Sequence, residues 1–286
     1  MSIISMDQIA VMSVQYSHYT FDYYLDSMKR CNVRNIDLWG GSPHYCRLDY
    51  PTSAAAARKI HELRNKVESL GMKIVIYTPE TLSYPYSISA PEQSIRDRTL
   101  DYFDMAMDDA LEMGTNRLFI NSGCSPLDIP REKGWARAVE SIQKICEIAE
   151  KKGITMILEQ LQPYESNLLI NLPQMDAMLR EVHSPALRTC VDLVAMGVSG
   201  ENLEDYYTTL GKESIQFIHF ADGNPSGHYI LSDGNLPLKE YIQTLEKHDY
   251  TSIIDLEIND PIYWADPHTS VKKSVDYLRK FIPEHS

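Results

Sequence analysis

The chain alternates short apolar runs with longer amphipathic runs eight times, without a linker or a low-complexity stretch between them. Short apolar runs next to Gly or Pro are typical of buried strands, and apolar residues at helical spacing are typical of helices that cover such strands. Repeated strand–helix units of roughly 30 residues build parallel α/β folds. The pattern predicts strands at 9–14, 35–39, 73–77, 117–121, 154–159, 187–191, 215–218 and 252–256, and helices at 21–31, 54–70, 92–113, 135–151, 173–182, 203–210, 238–247 and 271–281.

Eight units within 286 residues predict the fold class and the number of domains. We expect an α/β fold, a single (β/α)8 TIM barrel that comprises residues 1–286 as one domain. A doubly wound open sheet is the alternative, but that fold normally carries a glycine-rich phosphate loop after its first strand. Residues 14–17 read Val-Gln-Tyr-Ser and contain no glycine.

Each of the last four predicted strands ends in a side chain that packing explains poorly. Glu159, Asp192, His219 and Glu257 follow the apolar runs of strands five to eight, although charged groups are rarely buried without a partner. The C-terminal ends of barrel strands meet at one face, so these side chains should converge there. Three carboxylates and one imidazole predict a site for one divalent metal ion, with Mn, Co or Mg favoured and Zn or Ni as alternatives.

The composition limits the classes of partner. A net charge of −13 argues against nucleic acid, which needs clustered Lys and Arg, and against an anionic membrane surface. No apolar run approaches the ~20 residues of a membrane span, and residues 1–8 lack the basic and apolar segments of a signal peptide. Five scattered cysteines without a CxxC pair suit a reducing compartment. We therefore expect a cytoplasmic protein that acts on a small molecule.

Several loop sequences carry a resemblance to a known family. Residues 39–44 read Trp-Gly-Gly-Ser-Pro-His, 77–81 Tyr-Thr-Pro-Glu-Thr, 84–86 Tyr-Pro-Tyr, 163–167 Pro-Tyr-Glu-Ser-Asn and 228–230 His-Tyr-Ile. These sequences resemble the fructoselysine 3-epimerase branch of the xylose isomerase-like barrel superfamily, which also contains the D-tagatose and D-psicose 3-epimerases. The resemblance extends from about residue 9 to residue 281.

This resemblance implies a site as well as a fold. It implies one divalent metal ion held by Glu159, Asp192, His219 and Glu257, with Glu159 and Glu257 as the acid/base pair. It also implies that Glu165 contacts a sugar substrate. Related barrels are commonly homo-oligomers, so we expect a dimer or a tetramer.

Further loop residues near the strand ends complete the candidate site. Trp39, Glu80, Tyr84 and Tyr86 are interpreted as substrate contacts, with loop packing as the alternative. His228 follows a turn that contains glycine and is predicted to contact the substrate.

The predicted reaction is the metal-dependent epimerisation of a sugar at C3, by way of an enediolate. A proton next to a ketone is weakly acidic, so its removal needs a cation near the carbonyl oxygen, one carboxylate as base and a second as acid. A ketose/aldose isomerase and a metal-dependent lyase or dehydratase are alternatives, because both begin with the same deprotonation. A non-catalytic sugar-binding protein is the contrasting interpretation.

Two positions favour a ketoamine such as fructoselysine over a free ketose. The free-ketose enzymes of the family carry His and Arg where this chain has Ala195 and Pro225. The predicted strand-end loops contain no cluster of Arg or Lys, which disfavours a phosphorylated substrate. For a substrate that carries a lysine ammonium, Glu80 or Asp222 is expected to receive that group.

Overall fold

The eight strands form a closed, parallel barrel in the computed structural model, which describes residues 4–82 and 85–284. Each strand pairs with the next in sequence order, and the first pairs with the last to close the barrel. The predicted α/β barrel is therefore confirmed. The strands are β1 Ile9–Met12, β2 Asn35–Gly40, β3 Lys73–Pro79, β4 Arg117–Asn121, β5 Thr155–Glu159, β6 Leu187–Asp192, β7 Ile215–His219 and β8 Ile253–Leu256.

Helices pack around the outside of the barrel between successive strands. Their apolar faces and the outer faces of the strands form one continuous core. None of the described helices is both long enough and apolar enough to cross a bilayer. The helices are α1 Phe21–Cys31, α2 Ser53–Ser69, α3 Gln93–Met113, α4 Arg131–Lys152, α5 Leu172–Val182, α6 Leu193–Val198, α7 Leu203–Leu210, α8 Leu238–Lys247 and α9 Pro267–Leu278.

Local sequence signals explain where these helices begin and end. The side chain of Thr20 accepts a hydrogen bond from the amide of Tyr23 and so caps the start of α1. Gly153 ends α4 with a φ of 70°, a left-handed conformation that glycine adopts without a steric penalty. The start of α1 and the end of α4 are therefore set by the local sequence.

One helix was missed by the sequence analysis. The short helix α6 follows β6 directly, and Oδ1 of Asp192 caps it by accepting a hydrogen bond from the amide of Val194 at 2.8 Å. Residues 193–196 are all apolar and buried, so they show no helical period from which a helix could be predicted. The cap also fixes one carboxylate oxygen of a predicted metal ligand.

The inside of the barrel below its C-terminal mouth is apolar. Side chains in a strand alternate between its faces, so the residues two positions before Glu159 and His219 point inward as well. Those residues, Ile157 and Phe217, belong to a separate buried cluster. The predicted site residues therefore lie on top of an apolar layer. The cluster consists of Ala10, Val75, Ile76, Phe119, Ile157, Cys190, Phe217 and Ile253.

Candidate active site

Parallel pairing brings the predicted metal ligands to one end of the barrel. The Cα atom of Asp192 pairs with that of His219, and Glu159 pairs with Cys190 on the next strand. Glu257 follows the last residue of β8. The side chains of Glu159, Asp192 and His219 are buried, and that of Glu257 is 13% exposed. The structure thus brings together all four residues at which the later strands end.

Two histidines connect the carboxylates into one chain of contacts. Nδ1 of His219 lies 2.5 Å from Oε1 of Glu159 and 3.0 Å from Oε2 of Glu257. Nε2 of His228 lies 3.3 Å from Oδ2 of Asp192 and 3.3 Å from Oε2 of Glu257. Glu257 therefore lies between the two imidazoles. The cluster contains five side chains, one more than the four that were predicted from the ends of the strands.

A short hairpin carries His228 back over the mouth. Asp222 and Tyr229 form an antiparallel bridge, in which the amide of each residue donates to the carbonyl of the other, at 3.1 and 2.8 Å. Gly227 precedes His228 with a φ of 88°, in the region of backbone conformation that favours glycine. The glycine-containing turn was visible in the sequence, but the contact of His228 with Asp192 and Glu257 was not.

The carboxylate of Asp222 holds the loop that forms this hairpin. Its Oδ1 accepts from the amides of Gly223 at 2.8 Å and Leu236 at 3.0 Å. Its Oδ2 accepts from the amides of Ser232 and Gly234, both at 3.0 Å. A carboxylate that is only 1% exposed is tolerated when both oxygens are satisfied in this way. The structure therefore gives Asp222 a role in the loop and does not support it as the receiver of a substrate ammonium.

Burial and the two imidazoles shift the two glutamates in opposite directions. Burial raises the pKa of Glu159 to about 8, against the lowering effect of His219. Burial acts in the same sense on Glu257, but the charges of His228 and His219 outweigh it and lower the pKa of Glu257 to about 2. Burial disfavours the charged form of His228, yet Glu257 and Asp192 raise its pKa to about 10. A protonated and an ionised carboxyl side by side are typical of an acid/base pair.

The arrangement of polar atoms fits a divalent cation. Nδ1 of His219 faces Glu159 and Glu257 at once, although one nitrogen carries a single proton or lone pair. Within the described ranges, Oε2 of Glu257 is buried and makes no hydrogen bond of acceptable geometry, despite two nearby imidazole nitrogens. A cation between these donors would satisfy both groups, and carboxylate oxygens with one imidazole suit Mg²⁺, Mn²⁺ or Co²⁺.

Among the residues that the structure describes, three groups of side chains place donor atoms within 4.8 Å of one another, and two of these groups together contain all four predicted ligands. The protein could therefore hold a metal ion at the mouth, in agreement with the general prediction of a metal cofactor. The groups are Glu159, Cys190 and His219; Asp192, His228 and Glu257; and Asp37, His219 and Asp255.

Three of the predicted substrate contacts line a cavity of about 100 Å³ beside this cluster. Nε1 of Trp39 donates to Oε2 of Glu80 at 3.1 Å, and the amide of Leu82 donates to Oε1 of Glu80 at 2.9 Å. Glu165 accepts a hydrogen bond from the amide of Gln162 at 2.9 Å. The walls of the cavity are acidic, because glutamates line it and, among the described residues, no Lys or Arg does.

Two further predicted substrate contacts that the structure describes, Tyr86 and His228, do not line this cavity. Tyr86 is 6% exposed, and its ring stacks on Tyr102 of α3 with the centroids 4.0 Å apart. Tyr86 is not among the described residues that line the cavity. Loop packing, the alternative that the sequence left open, accounts for its position. Tyr84 lies outside the described residues.

A larger cavity of about 270 Å³ lies at the other end of the barrel, beside Arg117, Tyr207 and His248. Arg117 begins β4, so this cavity is at the N-terminal face of the strands. Active sites of TIM barrels are built at the C-terminal face. We therefore place the candidate active site at the smaller cavity, where the carboxylates and imidazoles meet.

Comparisons with known proteins agree with this geometry. Residues 25–281 match the model of a family described as xylose isomerase-like TIM barrel. The chain is 31% identical over 251 residues to fructoselysine 3-epimerase of Escherichia coli O157:H7, a match that covers 87% of this chain and 89% of that protein. Fructoselysine 3-epimerase of Shigella flexneri is 30% identical over 251 residues, which cover 87% and 88% of the two chains. The fold is similar to that of D-psicose 3-epimerase from Clostridium cellulolyticum H10, with a TM-score of 0.78 and 16% identity over 96% of this chain and 99% of that chain.

We expect Asp222→Ala to loosen the loop that carries His228. The substitution removes the acceptor of four backbone amides, and one unpaired buried donor costs about 1–3 kcal/mol. The free energy of unfolding should fall by about 3 kcal/mol, and amide hydrogen exchange at residues 223–236 should accelerate. Asn224→Ala, at an exposed position of the same loop, should change the free energy of unfolding by less than about 0.5 kcal/mol. Unaltered exchange in Asp222→Ala would contradict this role.

Proposed function

The chain belongs to the xylose isomerase-like TIM barrel family, and from that premise we propose that it is a divalent-metal-dependent sugar epimerase that acts at C3 of a ketose or ketoamine. The predicted enzyme class, a sugar isomerase or epimerase, is confirmed by its relatives. One observation supports the finer proposal best: Glu159 and Glu257 both lie against Nδ1 of His219 at the mouth of the barrel.

We propose Glu159, Asp192, His219 and Glu257 as the ligands of one divalent ion. His219 would offer Nδ1, the nitrogen that faces the two glutamates. When bound, the ion supplies positive charge that makes the C–H bond next to a sugar carbonyl more acidic. Mn, Co and Mg suit this donor set, with Zn and Ni as alternatives.

The two glutamates are proposed to move the proton at C3. β5 and β8 are not neighbours in the barrel, so Glu159 and Glu257 can approach a sugar in the mouth from different sides. In the cation-free site, burial raises the pKa of Glu159 to about 8 and the two imidazoles lower that of Glu257 to about 2, so the two carboxyls differ in how firmly they hold a proton. A bound cation would lower the pKa of both. Epimerisation needs a base on one face of C3 and an acid on the other.

Recognition of the substrate is proposed to depend on the acidic walls of the cavity. A cavity whose described lining contains no Lys or Arg favours a neutral or cationic sugar over a phosphorylated one. A ketoamine carries an amino group, and Glu80 is the proposed partner because its carboxylate lines the cavity. Glu165 and His228 are proposed to contact the sugar itself. The identity to two fructoselysine 3-epimerases supports this choice of substrate.

We further propose that the chain forms a homo-oligomer, a dimer or a tetramer. Among the described residues, the three most exposed large apolar side chains lie on segments that follow barrel strands: Leu127 (83%), Tyr164 (72%) and Ile262 (69%). A contiguous apolar patch is typical of a surface that another chain covers, and these side chains are proposed to belong to one. The number of subunits and the cytoplasmic location stay predictions.

We expect Glu159→Gln and Glu257→Gln each to slow deuterium exchange at C3 by about 100-fold or more, since each removes one proton-transfer group. Exchange is measured by proton NMR on fructoselysine in deuterated water with Mn²⁺, and excess chelator should abolish it. Glu132→Gln, at an exposed position of α4, is the matched control. Label at C1 alone would favour an isomerase, and loss of water would favour a lyase. Full activity in chelator, with no metal detected in the protein, would contradict the metal dependence.

We expect Glu80→Gln to raise the KM for fructoselysine by about tenfold or more, because a charge-assisted hydrogen bond to the amine is lost. The KM for free psicose or fructose should stay unchanged, since neither carries an amine. Asp128→Asn, an exposed acidic position on the loop after β4, controls for the loss of one negative charge. Turnover of free psicose or fructose far faster than any ketoamine would refute this substrate while leaving the epimerase chemistry in place.

A further inference from the structure

Two carboxyl side chains lie inside the barrel beneath the cluster at the mouth. Asp37 of β2 and Asp255 of β8 are both 0% exposed. Asp255 precedes Glu257 by two residues and therefore points to the same inner side of its strand. Oγ1 of Thr78 donates to Oδ1 of Asp37 at 2.7 Å. Buried carboxyls are costly unless paired, so this pair needs an explanation that the reaction at the mouth does not give.

The two carboxyl groups leave acceptor atoms unused. Within the described residues, Oδ2 of Asp37 and both oxygens of Asp255 have no donor. Asp37 has one partner, Thr78, whereas among the described residues both oxygens of Asp255 are left to accept a donor.

The second nitrogen of His219 faces this free acceptor. Nδ1 is directed at Glu159 and Glu257 in the mouth, whereas Nε2 lies 3.8 Å from Oδ2 of Asp255. Nε2 is buried and, among the described residues, forms no hydrogen bond. The ring is also packed face to face against Phe119, with the centroids 5.0 Å apart and the planes 18° apart. The imidazole thus separates two environments, the mouth at Nδ1 and the carboxyl pair at Nε2.

We propose that Asp255 is a positioning residue that accepts the Nε2 proton of His219. The lone pair of the imidazole then stays on Nδ1, directed at the mouth. Asp37, held by Thr78, lies beside this contact, since donor atoms of Asp37, His219 and Asp255 are within 4.8 Å of one another. A carboxylate behind a ligating histidine fixes the tautomer and the orientation of the ring and raises the basicity of the donor nitrogen. The inference rests on the proposed metal site only where it concerns affinity for a cation.

Cys190 is the competing neighbour of His219. Its sulfur lies within 4.8 Å of donor atoms of both Glu159 and His219. The sulfur of a cysteine is a weak hydrogen-bond acceptor. A carboxylate is the stronger partner for an imidazole N–H, which favours Asp255.

The test compares Mn²⁺ affinity, measured by electron paramagnetic resonance of the free ion, in the full-length protein and its variants. Asp255→Asn should weaken Mn²⁺ binding by about 10–100-fold. Asp37→Asn, which keeps the size of the side chain and leaves Asp255 in place, should stay within about threefold of the unaltered protein, well below that loss. Ile253→Val, at an inward position of the same strand, is the matched packing control.

A second readout does not depend on the metal. In the unaltered protein, the Nε2 proton of His219 should give a downfield NMR signal, as expected for donation to a carboxylate, and the signal should move upfield in Asp255→Asn. If Asp255→Asn does not fold, an unprotonated Nε2 in the unaltered protein would still overturn the inference.

Other outcomes separate the inference from its premise. Equal Mn²⁺ affinity in Asp255→Asn and the unaltered protein, or a loss in Cys190→Ala alone, would overturn the role of Asp255. Binding of two Mn²⁺ ions per chain, with one lost in Asp255→Asn, would make Asp37, His219 and Asp255 a second cation site instead. If the unaltered protein binds no Mn²⁺, the proposed metal site fails, and the position of the Nε2 proton signal alone decides the inference.

Discussion

Repulsion between buried carboxylates at the mouth of the barrel is the constraint on which the rest of the site depends. Glu159, Asp192 and Glu257 converge where little water can screen them, so their charges must be offset by protons, imidazoles or a cation. His219 and His228 supply part of that compensation, and their unequal positions split the pKa values of the two glutamates. The same excess of negative charge that makes the cluster costly makes it suitable for a divalent ion.

The barrel supports this cluster from below and from above. Below it, parallel strand pairing fixes the height of each proposed ligand, and the apolar layer around Phe217 gives the inward side chains a rigid base. The pair Asp37 and Asp255 lies between that layer and the mouth. Above it, the loop held by Asp222 brings His228 against the carboxylates. Asp222 and Asp255 thus support both the folded structure and the site, without needing to touch the substrate.

The parts that were predictable from the sequence are those with a periodic or punctuated signal. Eight apolar runs predicted the barrel, and polar or charged side chains at the ends of four consecutive strands are hard to obtain from packing needs alone. Asp37 and Asp255 had no such signal, because each lies within an apolar strand and their common neighbour, His219, is known only from the closed barrel. The position of His228 depends on a hairpin closed by contacts distant in sequence. Tyr86 lies in a loop whose conformation, and not its composition, turns the ring toward α3.

The most direct test of the central claim is a crystal structure of the protein grown with Mn²⁺, with diffraction recorded at the Mn absorption edge. We expect one anomalous peak at the mouth, with oxygens of Glu159, Asp192 and Glu257 and Nδ1 of His219 at about 2.0–2.6 Å. A peak held by other residues, or no peak at saturating Mn²⁺, would contradict the account.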